Sequence, residues 1–172
     1  MHKLHEFILT FFYCGKISKI PGTIGSLAAV LFWMLVTSIL YMHEFSILFQ
    51  SAFWGYLVII FTLYSLESIT IYTKAIRVKI DHPTIVVDEV VGQIIALQLS
   101  YIYFAKNYFS MPILILHPTL CFVLFRLLDI TKPWLIGHID RTVKNSLGVM
   151  LDDIISGLIA GLIVIALTVL IK

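Results

Sequence analysis

Ile154-Ile-Ser-Gly-Leu-Ile-Ala-Gly-Leu-Ile-Val-Ile-Ala-Leu-Thr-Val-Leu-Ile171 runs for eighteen residues without a charge. A chain needs roughly 20 mainly apolar residues to cross a bilayer as a helix. Four further stretches approach that length, at about 24–42, 49–66, 85–104 and 111–128. Composition agrees: of 172 residues 60% are hydrophobic and only 13% charged, with a mean hydropathy of +1.00. Soluble domains carry about 25% charged residues, so the apolar excess here must face lipid. Helices satisfy their own backbone inside hydrocarbon. The expectation is an all-α integral membrane bundle of about five transmembrane helices (four at the least), as one domain over residues 1–172. The apolar start, residues 1–13, carries Lys3, His5 and Glu6 and lacks a small-residue cleavage site, which reads as a short interfacial helix.

Charge sorts by side. Ten of the twelve basic residues fall before the first stretch, between the second and third, or from the end of the fourth, at Arg126, to the start of the fifth. Only Lys106 and Lys172 lie opposite. The positive-inside rule puts the N-terminus and both long charged loops in the cytoplasm. Glu67, Asp81, Asp88, Glu89, Asp129, Asp140, Asp152 and Asp153 collect on that same face, and Glu44 lies on the other. A net charge of +2 gives no reason to expect nucleic acid, and no obligate protein partner is evident. Cys14 and Cys121 are isolated, which supports neither a disulfide framework nor a zinc site.

Two acid pairs carry the chemistry. Asp88-Glu89 and Asp152-Asp153 each follow an apolar triplet and begin an apolar run. Carboxylates at the edge of hydrocarbon are costly unless a cation or a base neutralises them. Mg²⁺ takes carboxylate oxygens while keeping waters and substrate phosphate in its shell, so a few acids suffice. Helix capping is the competing account, but a cap needs one acid and stands before the apolar run. Asp129 follows Arg126 and precedes Lys132-Pro133-Trp134. There Pro133 stops the helix, Trp134 reads as an interfacial anchor, and Arg126 and Lys132 suit phosphate oxygens. Pro21-Gly-Thr-Ile-Gly-Ser26 offers backbone N–H groups, Thr23 and Ser26 to an anion or as helix caps, without the Lys-Ser/Thr ending of a P-loop. Gly157-Leu-Ile-Ala-Gly161 is a close-packing stretch. No Ser/His/Asp or Cys/His nucleophile set is present, and Cys121 to Arg126 is one residue short of a Cys-x5-Arg loop.

Pro21-Gly-Thr-Ile-Gly-Ser26, Ile85-Val-Val-Asp-Glu-Val-Val-Gly92, Phe125-Arg-Leu-Leu-Asp-Ile-Thr-Lys-Pro-Trp134 and Gly148-Val-Met-Leu-Asp-Asp-Ile-Ile-Ser-Gly157 together resemble the bacterial phosphatidylglycerophosphatase A family in order and spacing. The resemblance implies a Mg²⁺-dependent lipid phosphatase of the inner membrane that converts phosphatidylglycerophosphate to phosphatidylglycerol and inorganic phosphate. Asp88, Glu89, Asp129, Lys132, Asp152 and Asp153 carry over as motif positions. The approach to the last motif departs from the pattern: Lys144, Asn145 and Ser146 stand where more glycine is expected.

The resulting expectation assigns catalysis to Asp88, Glu89, Asp129, Asp152 and Asp153. Asp88, Glu89, Asp129, Asp152 and Glu67 are expected to hold one or two Mg²⁺ ions, with metal-activated water as nucleophile. Arg126, Lys132, Arg141, Lys144, Thr23 and Ser26 are expected to bind substrate. The alternative is a small transport protein whose interfacial carboxylates bind a cation. A CDP-alcohol phosphotransferase is disfavoured because its Asp-Gly-x2-Ala-Arg opening is absent.

Overall fold

A computed structural model describes residues 2–17, 19–107 and 111–170, with backbone alone at 2, 106, 107 and 111–114. Lys172, the span end Ile171 and the Lys106 side chain lie outside the described residues. All regular structure described is helical: α1 (His2–Leu9), α2 (Pro21–Met42), α3 (Ile47–Ile76), α4 (Val87–Asn107), α5 (Met111–Thr131), α6 (Trp134–Thr142) and α7 (Ser146–Leu170). Among the described residues α2, α3 and α7 are long and apolar enough to cross a membrane. Their outer faces agree, since Leu31 and Leu35 on α2, Leu48 and Leu63 on α3, and Leu162 on α7 are all more than half exposed. Bare apolar stripes of this length are stable against lipid, not water.

α4 is the central helix, packed against α2, α3, α5 and α7. Val90, Val91, Ile94, Ala96 and Leu97 are buried there together with Gln93, Gln98 and Ser100. Because protein surrounds it, α4 can carry polar side chains that a lipid-facing helix could not. Gln98 and Ser100 find internal partners: Trp33 Nε1 donates to Gln98 Oε1 at 3.1 Å, and Ser100 Oγ lies 2.8 Å from His117 Nε2. Between lipid-embedded helices there is little hydrophobic drive, so close van der Waals packing has to hold them. The α4–α7 crossing shows it. A Cβ at Gly157 would strike the Gly92 carbonyl oxygen, and one at Gly92 would strike the Asp153 carbonyl oxygen.

Helix ends depart from the apolar runs. α3 begins at the Ser46 cap, whose Oγ accepts from Phe49 N at 3.2 Å. It then continues ten residues past Leu66, to Ile76. Its extension buries Ser68, Ile69, Tyr72 and Thr73 against the rest of the fold, so packing rather than hydropathy sets its length. α7 starts at Ser146, eight residues before the apolar run, where Asn145 Oδ1 accepts from Gly148 N at 3.0 Å. α6 is an additional amphipathic helix within the charged segment after Pro133, burying Ile136 and Gly137. α1 is both interfacial in character and docked: Leu4 and Phe7 are exposed while Leu9 is fully buried. The Leu9 carbonyl accepts from Val86 N at 2.9 Å, just before α4.

Candidate functional site

The acid pairs arrive by different routes. Asp88 and Glu89 sit in the first turn of α4. Asp152 and Asp153 lie two turns inside α7, because that helix begins at Ser146. They do not open α7, as the sequence pattern led one to expect. A helix dipole acts within the first turn, so capping gives no account of this second pair. The Gly92–Gly157 contact draws the two helices together at this end and sets the pairs side by side.

They line one cavity of about 590 Å³ at the end of the bundle that carries the charged loops. Asp129 from α5, Lys132 from the turn after it, Asp140 from α6, and Lys79, Asp81 and Lys144 from the loops complete its charged lining. The oxygens of Asp88, Glu89 and Asp153 come within 4.8 Å of one another. Asp88 and Asp153 are buried and Glu89 is half-buried. Asp88 Oδ1, Glu89 Oε2, Asp152 Oδ1 and Asp153 Oδ1 have no hydrogen-bond partner among the described residues. Buried acceptors without a donor are expensive, and a divalent cation with hard oxygen ligands relieves several at once. The donor set therefore fits Mg²⁺.

Asp129, Asp140 and the second oxygen of Asp152 are matched by bases. Arg126 Nη1 donates to Asp129 Oδ2 at 2.6 Å and to Ser26 Oγ at 3.4 Å. Lys132 Nζ donates to Asp140 Oδ1 at 2.8 Å and to Asp152 Oδ2 at 2.5 Å. Burial alone pulls the Lys132 ammonium toward neutrality, but its bonds to Asp140 and Asp152 outweigh that and hold its pKa well above the usual lysine value. The bond from Lys132 in turn keeps the Asp140 carboxyl below the usual range. Lys132 has a left-handed φ of 43°. That turn swings α6 back over the site, and a Cβ at Gly137 would meet the Lys132 carbonyl oxygen.

The remaining expected site residues lie elsewhere. Glu67 is exposed on α3 and Arg141 is exposed on α6, and neither lines the cavity. Thr23, Ser26 and Arg126 also stand outside its lining. Ser26 is buried, donating to the Gly22 carbonyl at 2.8 Å. Pro21-Gly-Thr-Ile-Gly-Ser26 thus forms the first turns of α2, and its glycines make room. A Cβ on Gly22 would strike Glu89 Oε1 and crowd the Arg126 guanidinium, and one on Gly25 would strike Val86. Two residues escaped the sequence reading. Lys79 lines the cavity but sits in a loop with no motif around it. Gln93, one turn below Glu89, is fully buried, with neither amide atom hydrogen-bonded among the described residues. A polar side chain breaking an apolar run one turn after an acid pair was its available signal.

Residues 7–168 match the family model described as Phosphatidylglycerophosphatase A. Two relatives carry that same name. One, from Escherichia coli (strain K12), is 33% identical over 153 residues, covering 87% of this chain and 74% of the relative. Another, from Haemophilus influenzae (strain ATCC 51907 / DSM 11121 / KW20 / Rd), is 31% identical over 157 residues, covering 91% and 83%. No solved structure matches the chain.

Proposed function

The chain belongs to the phosphatidylglycerophosphatase A family, and from that premise we propose that it hydrolyses the terminal phosphomonoester of phosphatidylglycerophosphate. The products are phosphatidylglycerol and inorganic phosphate, and the reaction runs with Mg²⁺ at the cytoplasmic face of a bacterial inner membrane. One observation carries the reading: three acids from two helices converge within 4.8 Å, with unpartnered oxygens opening on a cavity large enough for a lipid headgroup. The cytoplasmic assignment rests on the ten basic residues that accompany the acids.

Asp88, Glu89 and Asp153 would hold the cation. When bound, Mg²⁺ supplies positive charge against the phosphoryl oxygens and makes a nearby water more acidic. An ammonium has three N–H donors. Asp140 and Asp152 occupy two from Lys132, leaving one for a phosphoryl oxygen. Asp152, anchored through Oδ2, keeps Oδ1 free to accept the proton of the attacking water. The water oxygen bonds to phosphorus as the bond from phosphorus to the glycerol oxygen breaks, and the proton taken up by Asp152 passes to that departing oxygen, which restores the carboxylate. Arg126 stays behind the site and neutralises Asp129.

The test is phosphate release from phosphatidylglycerophosphate in detergent micelles, with Mg²⁺ titrated in after EDTA treatment. Asp153→Asn and Asp88→Asn should each abolish release in protein that still melts cooperatively. Near-normal rates from either variant, or a wild-type chain indifferent to EDTA, would sink the assignment.

A further inference from the structure

Three basic side chains line the cavity, and only one of them is committed. Lys132 is held between Asp140 and Asp152. Lys79, on the loop between α3 and α4, and Lys144, on the loop between α6 and α7, are exposed and make no ion pair among the described residues. Lys144 adds to the field on Asp140 without bonding to it. Asp88, Asp152 and Asp153 are buried, so acids form the floor of the cavity and these two lysines stand at its rim.

That arrangement bears on the substrate's second anion. Phosphatidylglycerophosphate carries a phosphomonoester at its end and a phosphodiester one glycerol away. With the monoester over the acidic floor, the diester lies toward the rim. Seven carboxylates line this cavity, and an unscreened diester entering their field would be repelled. A cavity of about 590 Å³ is within the usual range for small-molecule sites and holds both groups together. Lysine is a strong point-charge partner for phosphate.

We infer that Lys79 and Lys144 form a second anion subsite that binds the phosphodiester of the lipid headgroup. It selects a lipid with two phosphates over one bearing a single phosphomonoester. The inference rests on the phosphatase reading above. The same subsite holds the product, because phosphatidylglycerol keeps the diester and loses only the monoester.

The two products therefore report on the two subsites separately. Phosphate release would be measured for wild type, Lys79→Met/Lys144→Met and Lys79→Arg/Lys144→Arg in neutral micelles, with phosphatidylglycerol or inorganic phosphate as inhibitor. The methionine pair should raise KM for phosphatidylglycerophosphate, and the inhibition constant of phosphatidylglycerol, by about tenfold or more. Inhibition by inorganic phosphate should move less than about twofold, and the arginine pair should recover most of the loss. The wild-type preference for phosphatidylglycerophosphate over phosphatidic acid should shrink by the same factor. Unchanged constants for phosphatidylglycerol, or an equal shift for inorganic phosphate, would overturn the subsite and leave the phosphatase reading standing. A wild-type chain that releases no phosphate would remove both. Because both lysines are exposed, melting curves should stay unchanged across the set.

Discussion

Arg126 Nη1 donates to Asp129 Oδ2 at 2.6 Å across one turn of α5, and both side chains are only 13% exposed. Asp129 lines the cavity and Arg126 does not. The guanidinium therefore acts from behind, compensating a carboxylate beside the Asp88–Glu89–Asp153 cluster. Arg126→Met should leave that charge buried and unpaired, lowering stability by about 3 kcal/mol. It should also lower kcat roughly 100-fold as the acids shift, with KM for the lipid little changed. Arg126→Lys should recover part of both losses. A large rise in KM at constant kcat would instead mean that Arg126 touches substrate.

Gly157 and Gly92 meet backbone to backbone, and the site depends on that spacing. Gly157→Ala puts a methyl group onto the Gly92 carbonyl oxygen, forcing α4 and α7 apart just below the acid pairs. The expected cost is about 1–3 kcal/mol in stability, together with a fall in kcat. Gly55→Ala is the control. Nothing lies within 4 Å of the added atom there, and a helical alanine is favoured over glycine by about 1 kcal/mol. Melting temperature and phosphate release measured on both variants check the contrast.

Much of this was legible in the residues, for identifiable reasons. Apolar runs marked the helices, because a lipid-facing helix must be apolar along its length. Acids beside hydrocarbon need a cation or a base, which singles out both acid pairs in the sequence; but the expected metal set of Asp88, Glu89, Asp129, Asp152 and Glu67 omits Asp153, the acid that the fold brings within 4.8 Å of Asp88 and Glu89. Which acid meets which partner was not legible. Asp152 and Asp153 are adjacent, yet Asp152 bonds Lys132 while Asp153 joins the cluster with Asp88 and Glu89. Successive helical residues point about 100° apart, so only the rotation of α7 decides this. The ends of α3 and α7, and all of α6, are set by tertiary burial that hydropathy does not register. Lys79 was invisible because a loop lysine acquires meaning only from the cavity it borders.

Lys132 joins α6 to α7 through Asp140 and Asp152. Lys132→Met should leave both carboxylates without their cation and lose most activity. The two acids should not be equivalent, since the Asp152 side chain is 7% exposed and that of Asp140 32%. Asp140→Asn should cost under about 1 kcal/mol and raise KM a few-fold by loosening Lys132. Asp152→Asn should abolish turnover. Equal effects of the two substitutions on kcat would contradict the role given to Asp152.

Glu6 and Lys16 pair at the start of the chain, with Tyr72 Oη also donating to Glu6 Oε1 at 3.3 Å. The bond from Lys16 holds the Glu6 carboxyl below its ordinary value of 4.5, and the bond to Glu6 raises the Lys16 ammonium above 10.5. A depressed carboxyl contributes stability that is present above its unfolded pKa and lost as pH falls through the folded one. A raised ammonium contributes stability that is present below its unfolded pKa and lost as pH rises through the folded one. The pair should therefore give a constant increment from about pH 5 to 10, fading in acid through Glu6 and in strong alkali through Lys16. Half-exposed as it is, the increment should stay below about 1 kcal/mol and shrink with salt. Melting curves of wild type and Glu6→Gln, taken from pH 3 to 8 at low and high salt, should converge in acid and differ at neutral pH. Because α1 docks against α3, beside the start of α4, the neutral-pH difference should appear as earlier melting with kcat little changed.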